Sequence, residues 1–347
     1  MSLAQTLSFP KFHTLSRLVG MALDKSESKR VFVGRAAVPC QPQTSNDSHT
    51  WLWLGIRFLA AALLALPFTA LAFASPGPYC HQDAVTYKAA GGGKIQIAEF
   101  TVEVMPIEDP GSPGDMTCQA SVTSPQGKRI FEVNERGVGI DSITGKDING
   151  DGQPDAVLVG FSGGAHCCWT YYIVSLGQVP GLIRKFQNRS TASFEDLLGN
   201  GQIEILIRDG DFDFAFGLDH AHSVFPLLIV QLKGASFEDV GPRFWTVFEK
   251  EITREREELS DRRLREWFRS NPDDPYDNMD YLETKSRVLL VVLDYLDAGR
   301  YQEARSTLGK LSPPNSQEQI WNEMRTGYCS GLRTELKLRP VPICGER

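Results

Sequence analysis

The sequence has no excess of positive charge, only one long apolar run, and no stretch read as a nucleophile elbow, a Walker loop or a His-Glu-x-x-His zinc helix. Missing motifs of that kind remove the usual sequence grounds for serine hydrolysis, nucleotide hydrolysis or zinc peptidase chemistry. Seven of the 36 basic residues and 3 of the 43 acidic ones lie before residue 75, which leaves 29 against 40 after it. That acidic balance argues against nucleic acid or an anionic membrane surface as a partner.

The single long apolar run lies in Trp51 to Ala74, behind Arg57, and ends in Ala72-Phe73-Ala74. An Ala-x-Ala ending suits signal peptidase, and Pro67 interrupts the run as a spanning helix would not prefer, so 51–74 is expected to be a signal peptide. An uncleaved N-terminal anchor is the alternative. Residues 1–50 fit no signal sequence and are expected not to belong to the mature protein, the start having been placed too early. The protein is then periplasmic or secreted, with no stable membrane span after cleavage.

Cysteine usage agrees with export. After residue 74 the chain keeps Cys80, Cys118, Cys167, Cys168, Cys329 and Cys344, an even number that suggests disulfides outside the cytosol. The preferred pairs are Cys80 with Cys118 and Cys329 with Cys344, each bracketing its own region. The adjacent Cys167 and Cys168 either bond to each other through a strained ring, pair elsewhere or stay reduced.

The strongest chemistry is in Asp147-Ile148-Asn149-Gly150-Asp151-Gly152-Gln153-Pro154-Asp155. Oxygen side chains at the first, third, fifth and ninth positions around glycine-permitted turns are a calcium loop by their chemistry, since hard divalent cations take six to eight oxygens. An EF-hand would need a carboxylate at the twelfth position, which is Leu158, and the run Ala156 to Val159 reads as a strand. The candidate calcium ligands are therefore Asp147, Asn149, Asp151, Gln153 and Asp155, with calcium as cofactor. A purely local Asx-rich turn is the plain alternative.

This loop resembles those of FG-GAP and integrin-type calcium repeats, in which such a turn precedes a buried strand. Sliding the chain by 49 residues lays Asp196 on Asp147, Asn200 on Asp151, Gly201 on Gly152 and Glu204 on Asp155. Leu198 replaces Asn149, so the second copy is degenerate and is expected to be held by its own hydrogen bonds without metal. The resemblance covers these two copies only.

A second site has weaker candidates: His166, Cys167, His220 and His222 for a soft metal or a Cys–His pair, and Asp209, Asp211 and Asp213 for a cation. Alternation puts those three aspartates on one face of an expected strand and Phe212, Phe214 and Phe216 on the other. Paired carboxylates of a glycosidase type are not established by spacing in sequence.

The fold class expected is a mainly β domain over 75–248, an antiparallel sandwich or partial propeller-like sheet, followed by a small α-helical region over 249–347. Lys94 to Met105 and Arg129 to Val133 read as strands, with six to eight strands in all. Ile252, Leu259, Leu264, Trp267 and Phe268 read as one helical stripe. Tyr295 to Tyr301, with Ala304 and Leu308 behind, resembles the middle of a tetratricopeptide helix pair, which implies an interaction surface. The function expected is thus an exported non-catalytic protein with a calcium-stabilised β domain and an unidentified protein or envelope partner. The alternative is a periplasmic hydrolase or transition-metal protein built on the His166/Cys167 region.

Overall fold

The computed structural model describes residues 77–345 apart from 165–166 and 271–278, with the backbone alone at 164, 167, 279 and 280. The signal-peptide and start-site expectations, and His166, lie outside the described residues.

Among the described residues fourteen strands form three antiparallel sheets, and each sheet contains one four-stranded meander. The first runs β3 (Gly93–Ile97), β4 (Phe100–Glu108), β5 (Met116–Thr123), β6 (Arg129–Glu135). The second runs β7 (Gly137–Ile140), β8 (Asp155–Gly164), β9 (Cys167–Ser175), β10 (Gly181–Asn188), with short β1 (Tyr79–Gln82) and β2 (Ala89–Gly91) added beyond β7. The third runs β11 (Ala192–Glu195), β12 (Glu204–Arg208), β13 (Leu227–Lys233), β14 (Ser236–Asp239).

Side-chain alternation shows how the sheets stack. Ala156 and Leu158 of β8, with Tyr172 and Val174 of β9, pack among Val102, Val104, Ala120 and Val122 of the first sheet. Their neighbours Val157, Tyr171 and Ile173 pack the other way, among Ile205, Ile207, Leu228 and Val230 of the third. A strand covered on both faces has no polar side, which is why 156–159 is an unbroken apolar run. The third sheet repeats this: Leu227 and Ile229 turn to the helices and meet Phe248, Ile252 and Val291. Each such buried aliphatic or aromatic side chain contributes about 1.5–3 kcal/mol. Consecutive meanders stacked face to face are a partial propeller-like arrangement, and three of them are fewer than the four blades of the smallest closed ring.

The helices are α1 (Trp245–Glu257), α2 (Asp261–Arg269), α3 (Met279–Asp297), α4 (Tyr301–Leu311), α5 (Gln317–Ser330) and the one-turn α6 (Leu332–Glu335). α3 and α4 form the expected hairpin, turning at Gly299 with φ of 72°, and Ala304 is fully buried between helices. Two disulfides join the expected cysteines, Cys80 with Cys118 and Cys329 with Cys344. The first ties β1 of the second sheet to β5 of the first. No helix among the described residues is long and apolar enough to cross a membrane.

Four local expectations are corrected. Lys94 to Met105 is a hairpin, not one strand, because Ala98 and Glu99 turn between β3 and β4, with Ala98 at φ of 49°. The strand count among the described residues is fourteen, since several strands have only three to five residues. The helical stripe of 252–268 is two helices, because the Ser260 hydroxyl accepts from the Arg263 N–H and starts α2 afresh. Asp209 to Phe216 is not a strand but two short 3-10 turns, Gly210–Phe212 and Ala215–Gly217. Asp209 caps the first of these by accepting from the Asp211 N–H at 2.9 Å.

Candidate metal-binding loop

The loop of interest joins β7 to β8, the first and second strands of the second meander. Asp147 accepts from the N–H groups of Gly150 at 2.7 Å and Asp151 at 3.2 Å with Oδ1, and from Gly152 at 2.7 Å with Oδ2. Asp151 accepts from the Gln153 N–H at 2.8 Å, and the Asn149 amide oxygen accepts from the Asp151 N–H at 3.0 Å. Gly150 and Gly152 have φ of 77° and 83°, left-handed conformations that L side chains adopt only with strain. An added Cβ at either position would meet nothing, so conformation and not space calls for glycine.

Asp155 closes the loop from the base of β8. Its side chain is fully buried, and Oδ2 accepts from Ile148 N–H at 2.8 Å and Asn149 N–H at 3.3 Å. Oδ1 is buried and has no hydrogen-bond partner. Burial pushes this carboxyl up to about 7, against the pull of the two N–H groups, and the charges of Asp151 and Asp147 add to the rise.

The loop between β11 and β12 repeats the geometry at a constant offset of 49. Asp196 accepts from Asn200 N–H at 3.0 Å and Gly201 N–H at 2.8 Å, and Asn200 accepts from Gln202 N–H at 2.9 Å. Gly199 and Gly201 have φ of 66° and 84°. Glu204 accepts from Leu197 N–H at 3.0 Å with Oε2, the bond Asp155 makes to Ile148. Its Oε1, unlike Asp155 Oδ1, takes the Gln231 amide at 2.5 Å. Leu198, in the place of Asn149, is 62% exposed. Both loops and the turn at Gly234 border one cleft of about 510 Å³, and Gly234 N–H donates to the Asn149 carbonyl at 2.9 Å.

Among the described residues no three His, Cys, Asp or Glu side chains are gathered closely enough to hold a metal by themselves. The loop's donors are mixed, carboxylate, amide and main-chain carbonyl, and the carboxylates of Asp147 and Asp151 are engaged by N–H groups of the loop itself. Gln153 lies with its Cβ and Cγ against Gly177.

Among the described residues, the weaker candidates include two separate His–Asp pairs. His220 Nδ1 is 2.8 Å from Asp213 Oδ1, whereas His222 Nδ1 is 2.7 Å from Asp219 Oδ1. Asp213 and Asp209 are buried, and burial pushes Asp209 up to about 7. Asp211 turns instead to Gly331, where its Oδ2 occupies the space of a Cβ. The Cys167 side chain lies outside the described residues. One string escaped the sequence reading: Gly160-Phe161-Ser162-Gly163-Gly164 has the letters of a nucleophile elbow. Ser162 sits within β8, whose chain returns directly as β9, and its Oγ accepts from Cys168 N–H at 2.6 Å. An elbow needs a strand-to-helix turn, so the string is not an elbow.

Sequence reasoning also missed the buried charges between the third sheet and the helices. Arg333 donates to Asp239 Oδ2 from both Nη atoms at 2.6 Å, to Asp297 at 3.3 Å and to the Tyr328 hydroxyl at 2.7 Å. Burial raises Asp297 well above the usual carboxylate range, and raises Asp294, on the same helix, to about 7. Arg333 is 94 and 36 residues from its two aspartates, and the group belongs to no short motif. No family model, curated protein or solved structure matches this chain.

Proposed function

We propose that this is an exported, non-catalytic protein in which calcium held by the Asp147 loop rigidifies the sheet stack, and the helical region serves a protein or envelope partner. The observation that carries the reading is the contrast between Asp155, with one buried oxygen unpartnered, and Glu204, whose matching oxygen is satisfied by Gln231. A cation would do at Asp155 what an amide does at Glu204. Asp147, Asn149, Asp151 and Asp155 would supply side-chain oxygens and Gln153 its carbonyl, an all-oxygen set that suits calcium over zinc or copper. The ion would neutralise like charges that otherwise repel. The loop's resemblance to FG-GAP repeats and the tetratricopeptide-like hairpin fit the same reading, and the two disulfides are compatible with an oxidising compartment.

The competing reading, a hydrolase or transition-metal protein, draws its one support from the His220–Asp213 pair. One experiment separates them: thermal unfolding of the oxidised protein across a calcium titration and in EDTA, with bound metals counted by elemental analysis. A ligand of the folded state alone stabilises it by about 2.7 kcal/mol at a hundredfold excess over its Kd. One bound calcium and a rising Tm support the structural reading. A stoichiometric zinc or copper with no calcium response favours the other.

A further inference from the structure

A second cleft, of about 430 Å³, is bordered by β14 and carries three cations on a chain of net charge −7. Arg243, Lys337 and Arg339 line it together with Ser236, Glu238 and Asp239. Both acids are already engaged: Glu238 with Lys233 Nζ at 2.6 Å, and Asp239 with the buried Arg333. Among the described residues the three lining cations make no ion pair, and they outnumber the two acids that share the cleft with them. The field reaches Glu238, whose carboxyl is held below its usual range by the bond to Lys233 and then by the charges of Arg243 and Arg339.

The fold places these cations from two separate segments. Arg243 ends the turn Gly241–Arg243 that precedes α1. Lys337 and Arg339 alternate with Leu336 and Leu338, which are buried in the core beside the third sheet, so the apolar pair anchors the segment and the cations face out. Lys337 holds φ of 57°, a conformation uncommon for a residue other than glycine, asparagine or aspartate. Strain of that kind persists only where the surroundings fix it, and here Leu336 and Leu338 on either side are buried.

We propose that this cleft binds an anion bearing a phosphoryl group, with its head between Arg243, Lys337 and Arg339. A phosphate monoester carries close to two negative charges and three acceptor oxygens, which match three cations better than one carboxylate does, and guanidinium forks suit its geometry. The Ser236 hydroxyl is a further donor at the rim. The proposal is independent of the calcium loop, which borders the other cleft.

Calorimetric titration of the full chain with pyrophosphate, in calcium-free buffer of low ionic strength, tests it. The expected result is saturable one-to-one binding that weakens about tenfold or more in K337Q/R339Q, as loss of charge-assisted bonds requires. R243Q, on a different segment, weakens it too, while K310Q, on the exposed face of α4, leaves it unchanged. Phosphatidic acid vesicles, whose headgroup is a phosphate monoester, decide the source: competition with pyrophosphate that these variants abolish assigns a lipid headgroup, and no vesicle binding assigns a soluble phosphate ester. Absence of saturable binding up to about 1 mM, or equal affinity in the wild type and in both cleft variants, overturns the proposal.

Discussion

Asp155 and Glu204 stand 49 residues apart in sequence and at the same place in two loops, each closing its loop on the N–H of the residue after the loop's first aspartate. Their second oxygens differ. Glu204 receives the Gln231 amide, while Asp155 Oδ1 is buried without a partner. One scaffold thus carries two solutions to the same buried carboxylate, and the loops can be tested against each other.

Changing Asp151 to Ala should lower the Tm in calcium and erase the difference between calcium and EDTA. The substitution removes the fifth-position oxygen and one of the charges that raise Asp155. If mutant and wild type melt alike in calcium and alike in chelator, the loop holds no metal.

Changing Gln231 to Ala should cost about 1–3 kcal/mol, the penalty for a buried acceptor left without its donor. Gln231 and Glu204 are both buried, so water is a poor substitute. The loss should be equal in calcium and in EDTA, because the second loop lacks the third-position oxygen at Leu198. A loss confined to EDTA would mean that calcium enters the second loop as well.

The two loops were legible in the sequence because their geometry is local. Glycines at fixed offsets must take left-handed φ, and aspartates accept from N–H groups two to five residues ahead, so spacing alone specifies the turn. The buried runs of β8 and β12 were legible for a similar reason, being apolar on both faces. Asp209 to Phe216 misled because alternation of acid and aromatic has two explanations. Here Asp209 and Asp213 are buried as well as Phe212 and Phe216, and the chain winds instead of extending. Gln231 and Arg333 were illegible because their roles depend on partners 27 and 94 residues away.

Replacing Cys80 and Cys118 with Ser should destabilise the protein by about 2–4 kcal/mol, since the bond closes a long loop in the unfolded chain. It links the first two sheets, whose shared core includes both cysteines. Urea unfolding of oxidised wild type and the double variant measures this. An unchanged midpoint would mean that the packing of Val102, Val122, Leu158 and Val174 holds the sheets together unaided.

Changing Asp294 to Asn should alter how stability varies with pH. Asp294 sits on α3, fully buried, with one oxygen facing the Leu227 N–H of β13 at 3.4 Å and the other unpartnered. Around it are Arg208 from β12, which favours the ionised form, and Glu251 and Glu255 from α1, which oppose it. Burial outweighs the rest and pushes the carboxyl up to about 7, above its value in the unfolded chain near 3.8. Between those values the folded state holds a proton that the unfolded state has lost, so this group's contribution is fully present below about pH 4 and falls away as pH rises to about 7. Asparagine keeps the shape and does not titrate. The variant should therefore gain on the wild type between pH 4.5 and pH 8, by at most on the order of 3 kcal/mol. Asp209 titrates in both proteins and cancels in the comparison, and relief of Asp297 from the charge of Asp294, which raises it further, acts in the same direction as the expected gain. A difference between variant and wild type that is the same at both pH values would show that Asp294 is ionised in the folded protein throughout, and that Arg208 outweighs burial.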